Sequence, residues 1–165
     1  MAGEWRFLET YMATIRKDLE IEARPETVWD ALRDVGALHK RLAPGFVTDV
    51  RMEAGARIVT FGNGMVAREV IVSVEDDTRR LAWTIVGGQM THHHGVAQVF
   101  AAGARRSRFV WTTDLLPDNL APAIDAMMAQ AMPIIKATLE RAERDGDSPP
   151  SSSRLKLGPL PAGSL

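Results

Sequence analysis

The 165 residues carry 20 Lys and Arg against 21 Asp and Glu, a net charge of −1, and no cysteine. A chain of this length forms one domain and hides roughly 70% of the surface it exposes when unfolded, so it can build a real core. Near-zero charge removes any long-range pull toward nucleic acid or anionic lipid, and the lack of cysteine excludes disulfides, thiol nucleophiles and thiolate metal sites.

Glu4, Arg6, Glu9 and Arg16 interrupt the apolar residues of the N-terminus, which therefore lacks the unbroken apolar run of a signal peptide. No segment approaches transmembrane length, and a cytoplasmic location is expected. Met12 stands just before the first predicted strand, so residues 1–12 read as an N-terminal extension from an upstream start. Between Ile15 and Ile21, apolar Ile15, Leu19 and Ile21 alternate with Arg16, Asp18 and Glu20, the pattern of a half-buried strand. Pro25 then suits a first helical turn, and Val28, Trp29 and Leu32 recur at helical spacing up to a stop at Gly36. Ala37 to Leu42 supply a second short helix before Pro44 and Gly45.

Six strand-like runs follow: FVTDVRM, ARIVTF, MVAREVIVSV, RLAWTIV, MTHHHGVAQVF and RFVWTTDLL. Turn residues separate them, among them Gly62-Asn63-Gly64 and Gly87-Gly88, and no helix intervenes, which indicates an antiparallel meander. With the first strand the predicted sheet has seven. After Pro117 the period changes to helical, with Asp118 or Asn119 as cap. Ile124, Met127, Met128, Ala131, Ile135, Thr138 and Leu139 form its apolar stripe, and Pro133 should kink it near a pocket. Residues 145–165, rich in Pro, Ser and Gly, read as a disordered tail, which leaves residues 13–144 as the domain.

This order of elements resembles the helix-grip fold of the START-like superfamily, also called the SRPBCC or polyketide cyclase/dehydrase group. The stretches IEARPETVWDALRDVGALHKRLAP, VAREVIVSVEDDTRRLAWTIV and RFVWTTDLLPDNLAPAIDAMMAQAMPIIKATLE carry the likeness. The resemblance implies an α+β fold, with a curved antiparallel sheet wrapped around a long C-terminal helix and two short helices after the first strand. It also implies a cavity between sheet and helix. Relatives bind lipids, hormones or polyphenols, or cyclise and dehydrate polyketides, so the fold does not dictate one chemistry.

Strand alternation nominates the cavity wall: Phe46, Val50 and Met52; Leu81, Trp83 and Ile85; Phe109, Trp111 and Leu115; and, from the helix, Ile124, Met127, Met128 and Ala131. Each could equally be plain core. Of His92, His93 and His94, only His93 shares a face with the small residues Thr91, Gly95 and Ala97, so it is expected to point inward with room for a guest beside Gly95. There it could bond a ligand oxygen or move protons. Arg68, in the company of Val70, Val72 and Val74, is nominated over Glu69 to approach the cavity and meet an anionic head group or Glu22. His92 and His94 lack a third ligand at metal spacing, the glycine turns lead into no helix, and neither a metal nor a cofactor is expected.

The reading that follows is a monomer or homodimer that binds a small, largely apolar ligand of lipid, aromatic or polyketide-like character. The alternative is a cyclase/dehydrase-type lyase in the same cavity, with His93 or Arg68 as catalytic candidates. A chaperone-partner module using the cavity rim is a third possibility. Neither nucleic acid nor a membrane span is expected.

Overall fold

The computed structural model describes residues 11–147. The predicted extension up to residue 10 and the predicted tail from residue 148 lie outside the described residues.

Strand β1 (Ala13–Ile21) leads into helices α1 (Pro25–Arg33) and α2 (Leu38–Arg41), then strands β2 (Val47–Glu53), β3 (Ala56–Phe61), β4 (Val66–Glu75), β5 (Arg80–Val86), β6 (His92–Ala101) and β7 (Ser107–Leu116), and finally helix α3 (Ala121–Asp147). The strands form one antiparallel sheet in the order β1-β7-β6-β5-β4-β3-β2. Five successive hairpins give the meander from β2 to β7, and β1 closes beside β7 with Ala13 opposite Leu115 and Ile21 opposite Ser107. The β2–β3 loop is only Ala54 and Gly55, and Gly55 supplies the left-handed φ of +69° that so short a connection requires.

Helix α3 lies against the concave face, and its apolar period explains why. Met128, Ala131, Met132, Ile135 and Leu139 recur every three or four residues and are all buried, Met128 with Ile15 and Leu115, the others with Leu81, Val99 and Phe109 of the sheet and Trp29 and Leu32 of α1. Each large side chain of this kind contributes roughly 1.5–3 kcal/mol over its exposed state. Polar contacts fix the helix along β1: Lys17 Nζ reaches Asp125 at 2.7 Å, Lys136 Nζ donates to the Glu20 carbonyl at 2.7 Å, and the Glu22 N–H donates to Glu140 at 3.0 Å.

Pro133 stays inside α3, on its exposed side. Ala129, four residues earlier, whose carbonyl receives no N–H from Pro133, is exposed too, so water can supply the missing bond. The helix also continues to Asp147, past the expected domain edge at 144. Residues 145–147 offer no apolar side chain, but Arg24 and Arg105 both pair with Asp147 and with Glu143, and so tie down the last turn.

Candidate functional site

The concave side of the sheet, α3 and the α1–α2 segment enclose a cavity of about 110 Å³. Its wall is apolar for the most part. Leu81, Trp83 and Ile85 of β5, Phe109 and Trp111 of β7, and Ile124, Met127, Met128 and Ala131 of α3 face it, with Leu32, Leu38 and Phe46 from the side of the short helices. The two indoles pack at 6.2 Å with their planes tilted by 47°, and Phe46 meets Phe61 edge to face at 5.7 Å.

Polar residues interrupt this lining, among them Asp34 of the α1–α2 segment, whose carboxylate pairs with Arg41 at 3.0 Å. Arg57 and Glu69 stand directly opposite each other on β3 and β4 and form an ion pair, Nε to Oε2 at 2.7 Å, with side chains only 5% and 7% exposed. Arg57 also donates to the Val35 carbonyl at 3.0 Å, and its guanidinium lies 5.9 Å from the centre of the Trp83 ring. Its charge is therefore met on three sides. His93 is buried and lines the cavity, and its Nδ1 accepts the Ile85 N–H at 3.1 Å. That bond places the imidazole proton on Nε2. Burial pushes the His93 pKa down to about 4, assisted by the neighbouring His94 and His92, so the ring is neutral at pH 7. Thr113 completes the polar set on the sheet. On the same strand the indole Nε1 of Trp111 is buried with no hydrogen-bond partner, whereas the Trp29 Nε1 donates to Asp76 at 2.9 Å.

Several sequence expectations need correction. Arg68 does not approach the cavity: its side chain is 44% exposed and pairs with Glu53 at 3.3 Å. Glu69 points inward instead, because Arg57 neutralises it, and exposed Val66 and Val72 face outward with Arg68. Val50 shares the concave face through its pairing with Val59 but is half-buried near the sheet edge and does not reach the cavity. A register shift between Val47 and Asp49 brings Val47 to the wall in its place, and Met52 is exposed. Gly95 leaves no space for a guest. The Trp83 ring lies across it, and a Cβ there would stand 2.6 Å from Trp83 Cε2. Phe46, Trp83, His93, Trp111, Ile124, Met127, Met128 and Ala131 line the cavity.

Arg57 and Glu69 were not anticipated at the wall, although the sequence contains a signal for them. Counting outward from the Gly62-Asn63-Gly64 turn through Thr60 and Val66 sets Arg57 against Glu69, opposite charges on one face. His92 and His94 lie on the other side of β6 from His93, and among the described residues no three or more His, Asp or Glu side chains gather as a metal-binding group. No described helix is long and apolar enough to cross a membrane.

Known structures share this architecture. Norcoclaurine synthase from Thalictrum flavum, solved with dopamine and hydroxybenzaldehyde, is 16% identical, with 85% of this chain and 91% of that one covered at a TM-score of 0.66. A START superfamily protein from Mycobacterium smegmatis is 13% identical over 80% of this chain and 97% of that one, with a TM-score of 0.61. A protein from Thermobifida fusca is 26% identical over 82% of this chain and 94% of its own, with a TM-score of 0.62. No curated protein matches the sequence significantly. A family model described as "Polyketide cyclase / dehydrase and lipid transport" matches residues 12–145, and the chain belongs to that family.

Proposed function

We propose that this protein binds a small, largely apolar molecule in the cavity between the sheet and α3. The observation that carries the reading is the cavity itself, left open at the centre of the fold and walled by aromatic, aliphatic and thioether side chains. Close packing is the default of protein interiors, so a void of this size lined from three layers is a departure that binding explains. The volume favours a compact guest over a long acyl chain or a multi-ring polyketide, since an apolar cavity of about 150 Å³ takes benzene.

The lyase alternative is less well supported. Near pH 7 a base with a pKa of about 4 takes up protons poorly, and Arg57 and Glu69 are occupied with each other. Binding needs none of these groups to react.

Native mass spectrometry of the protein purified from its own host, followed by denaturing extraction, tests the reading. One small apolar compound retained at near one-to-one stoichiometry is the expected result. A protein that is empty, and that gains no mass when incubated with single-ring aromatics, contradicts it.

A further inference from the structure

The charged and imidazole groups that the sheet turns inward gather at one end of the cavity wall. Register sets them in a line: Arg57 stands opposite Glu69, Glu69 opposite Ile85, and the Ile85 N–H donates to His93 Nδ1 at 3.1 Å. The ladder between β5 and β6 stops at Trp83 and Gly95, so the imidazole takes up a backbone donor that the next strand no longer meets. Four residues along, Leu81, Ala97 and Trp111 form a second row across the same strands, without a charge.

His93 keeps one group unspent. With Nδ1 accepting, Nε2 carries the proton, and among the described residues it meets no acceptor. The residue is only 6% exposed, and buried donors nearly always find a partner. Nε2 is nevertheless not sealed. Among the described residues the unpartnered polar atoms closed off from any water-sized space are His39 Nδ1, Trp111 Nε1 and Glu143 Oε1, and His93 Nε2 is not one of them. His93 itself lines the cavity from the inner side of β6.

Resting on the cavity-binding reading above, we propose that His93 Nε2–H opens into the cavity and donates a hydrogen bond to the guest, a neutral, single-ring-sized molecule with a carbonyl or similar acceptor oxygen at one end. The oxygen sits beside His93, and the ring extends toward Trp83 and the row of Leu81, Ala97 and Trp111. A carboxylate is disfavoured, because Glu69 holds Arg57 and the imidazole is uncharged, which leaves no countercharge free. A plain hydrocarbon fills the same volume but leaves the donor unpaired.

The test uses cyclohexanone and methylenecyclohexane, which share a shape and differ in the acceptor. In ¹⁵N-histidine-labelled protein the His93 ring signals are assigned by their loss in His93→Asn, whose Oδ1 can still accept the Ile85 N–H but which places no donor at the Nε2 position. The Nε2 resonance should move downfield and saturate with cyclohexanone but not with methylenecyclohexane. The carbonyl stretch of bound cyclohexanone should lie lower in wild type than in the variant. Comparing the two dissociation constants as a ratio, in wild type and in His93→Asn, cancels their different costs of leaving water. The ratio should shift about fivefold toward methylenecyclohexane in the variant, the worth of one neutral hydrogen bond. If both guests bind but move the imidazole resonance alike, or the ratio is unchanged, the acceptor inference is overturned while cavity binding stands. If neither guest binds, the inference is also overturned, and the extraction from the host then decides the broader reading. Should His93→Asn fail to fold, triple-resonance assignment in the wild type keeps the imidazole measurement decisive.

Discussion

Replacing Arg57 by methionine keeps most of the side chain's length while removing the partner of a buried carboxylate. Glu69, 7% exposed and 2.7 Å from Arg57 Nε, would be left without its countercharge. The Val35 carbonyl would lose a donor at 3.0 Å, and Trp83 the cation over its ring. Breaking one side of a buried ion pair costs about 3–5 kcal/mol, a large share of the ~5–15 kcal/mol that holds a typical domain together. Replacing both members by apolar groups behaves differently, because no buried charge remains, and such replacements are commonly neutral or stabilising. Urea denaturation followed by circular dichroism should therefore show Arg57→Met losing about 3–5 kcal/mol and Arg57→Met with Glu69→Leu falling within about 1 kcal/mol of wild type. The reasoning is refuted if the single variant loses under about 1 kcal/mol, or if the double variant is as unstable as the single.

Three further outcomes follow from the geometry. The folded-state pKa of His93, about 4, lies below the ordinary 6.5, so the unfolded chain binds its proton first, and stability present above pH 6.5 drains away as pH falls toward 4. The full loss amounts to roughly 3–4 kcal/mol, and the wild-type slope between pH 7 and 4.5 should exceed that of His93→Gln; parallel slopes would remove the case for a neutral buried ring. In Gly95→Ala the new Cβ meets the Trp83 indole at 2.6 Å, which should cost about 1–3 kcal/mol and alter the near-ultraviolet circular dichroism of the indoles, whereas an unchanged spectrum and stability would show that Trp83 is not pinned there. Leu139→Ala removes a fully buried side chain at the α3–sheet contact and should destabilise by about 2–5 kcal/mol in the same urea assay; a loss below about 1 kcal/mol would mean that this turn of α3 packs loosely.

The architecture is legible in the sequence because each strand break carries its own turn chemistry and because the period turns helical at Pro25 and again after Pro117. The orientation of His93 is legible too, since Ala97 shares its side of β6. Strand β4 misleads for a physical reason. Its valines suggest that Val70, Val72 and Val74 mark the inner face and carry Arg68 with them, yet Val66 and Val72 are exposed and Glu69 is buried. An apolar count on one strand cannot reveal a charge satisfied from the next, and only the hairpin register joins Glu69 to Arg57. Val50 is misjudged because the shift in β2 occurs within a run that shows no glycine or proline to announce it. Gly95 is a third kind of case: a missing side chain signals close approach, but the sequence does not say that the visitor is Trp83 and not a ligand.

The central claim, that an apolar guest occupies the space between the sheet and α3, is tested most directly by a methyl-detected NMR titration with a single-ring guest. Met127, Met128 and Ala131 line the cavity, whereas Met52 and Met65 stand exposed elsewhere and serve as internal controls. Saturable shifts and intermolecular contacts at Met127, Met128 and Ala131 and at the other lining methyls, such as Met90 and Ala97, with Met52 and Met65 unmoved, are the predicted result. Shifts at Met52 and Met65 with none at Met127, Met128 and Ala131 would contradict it.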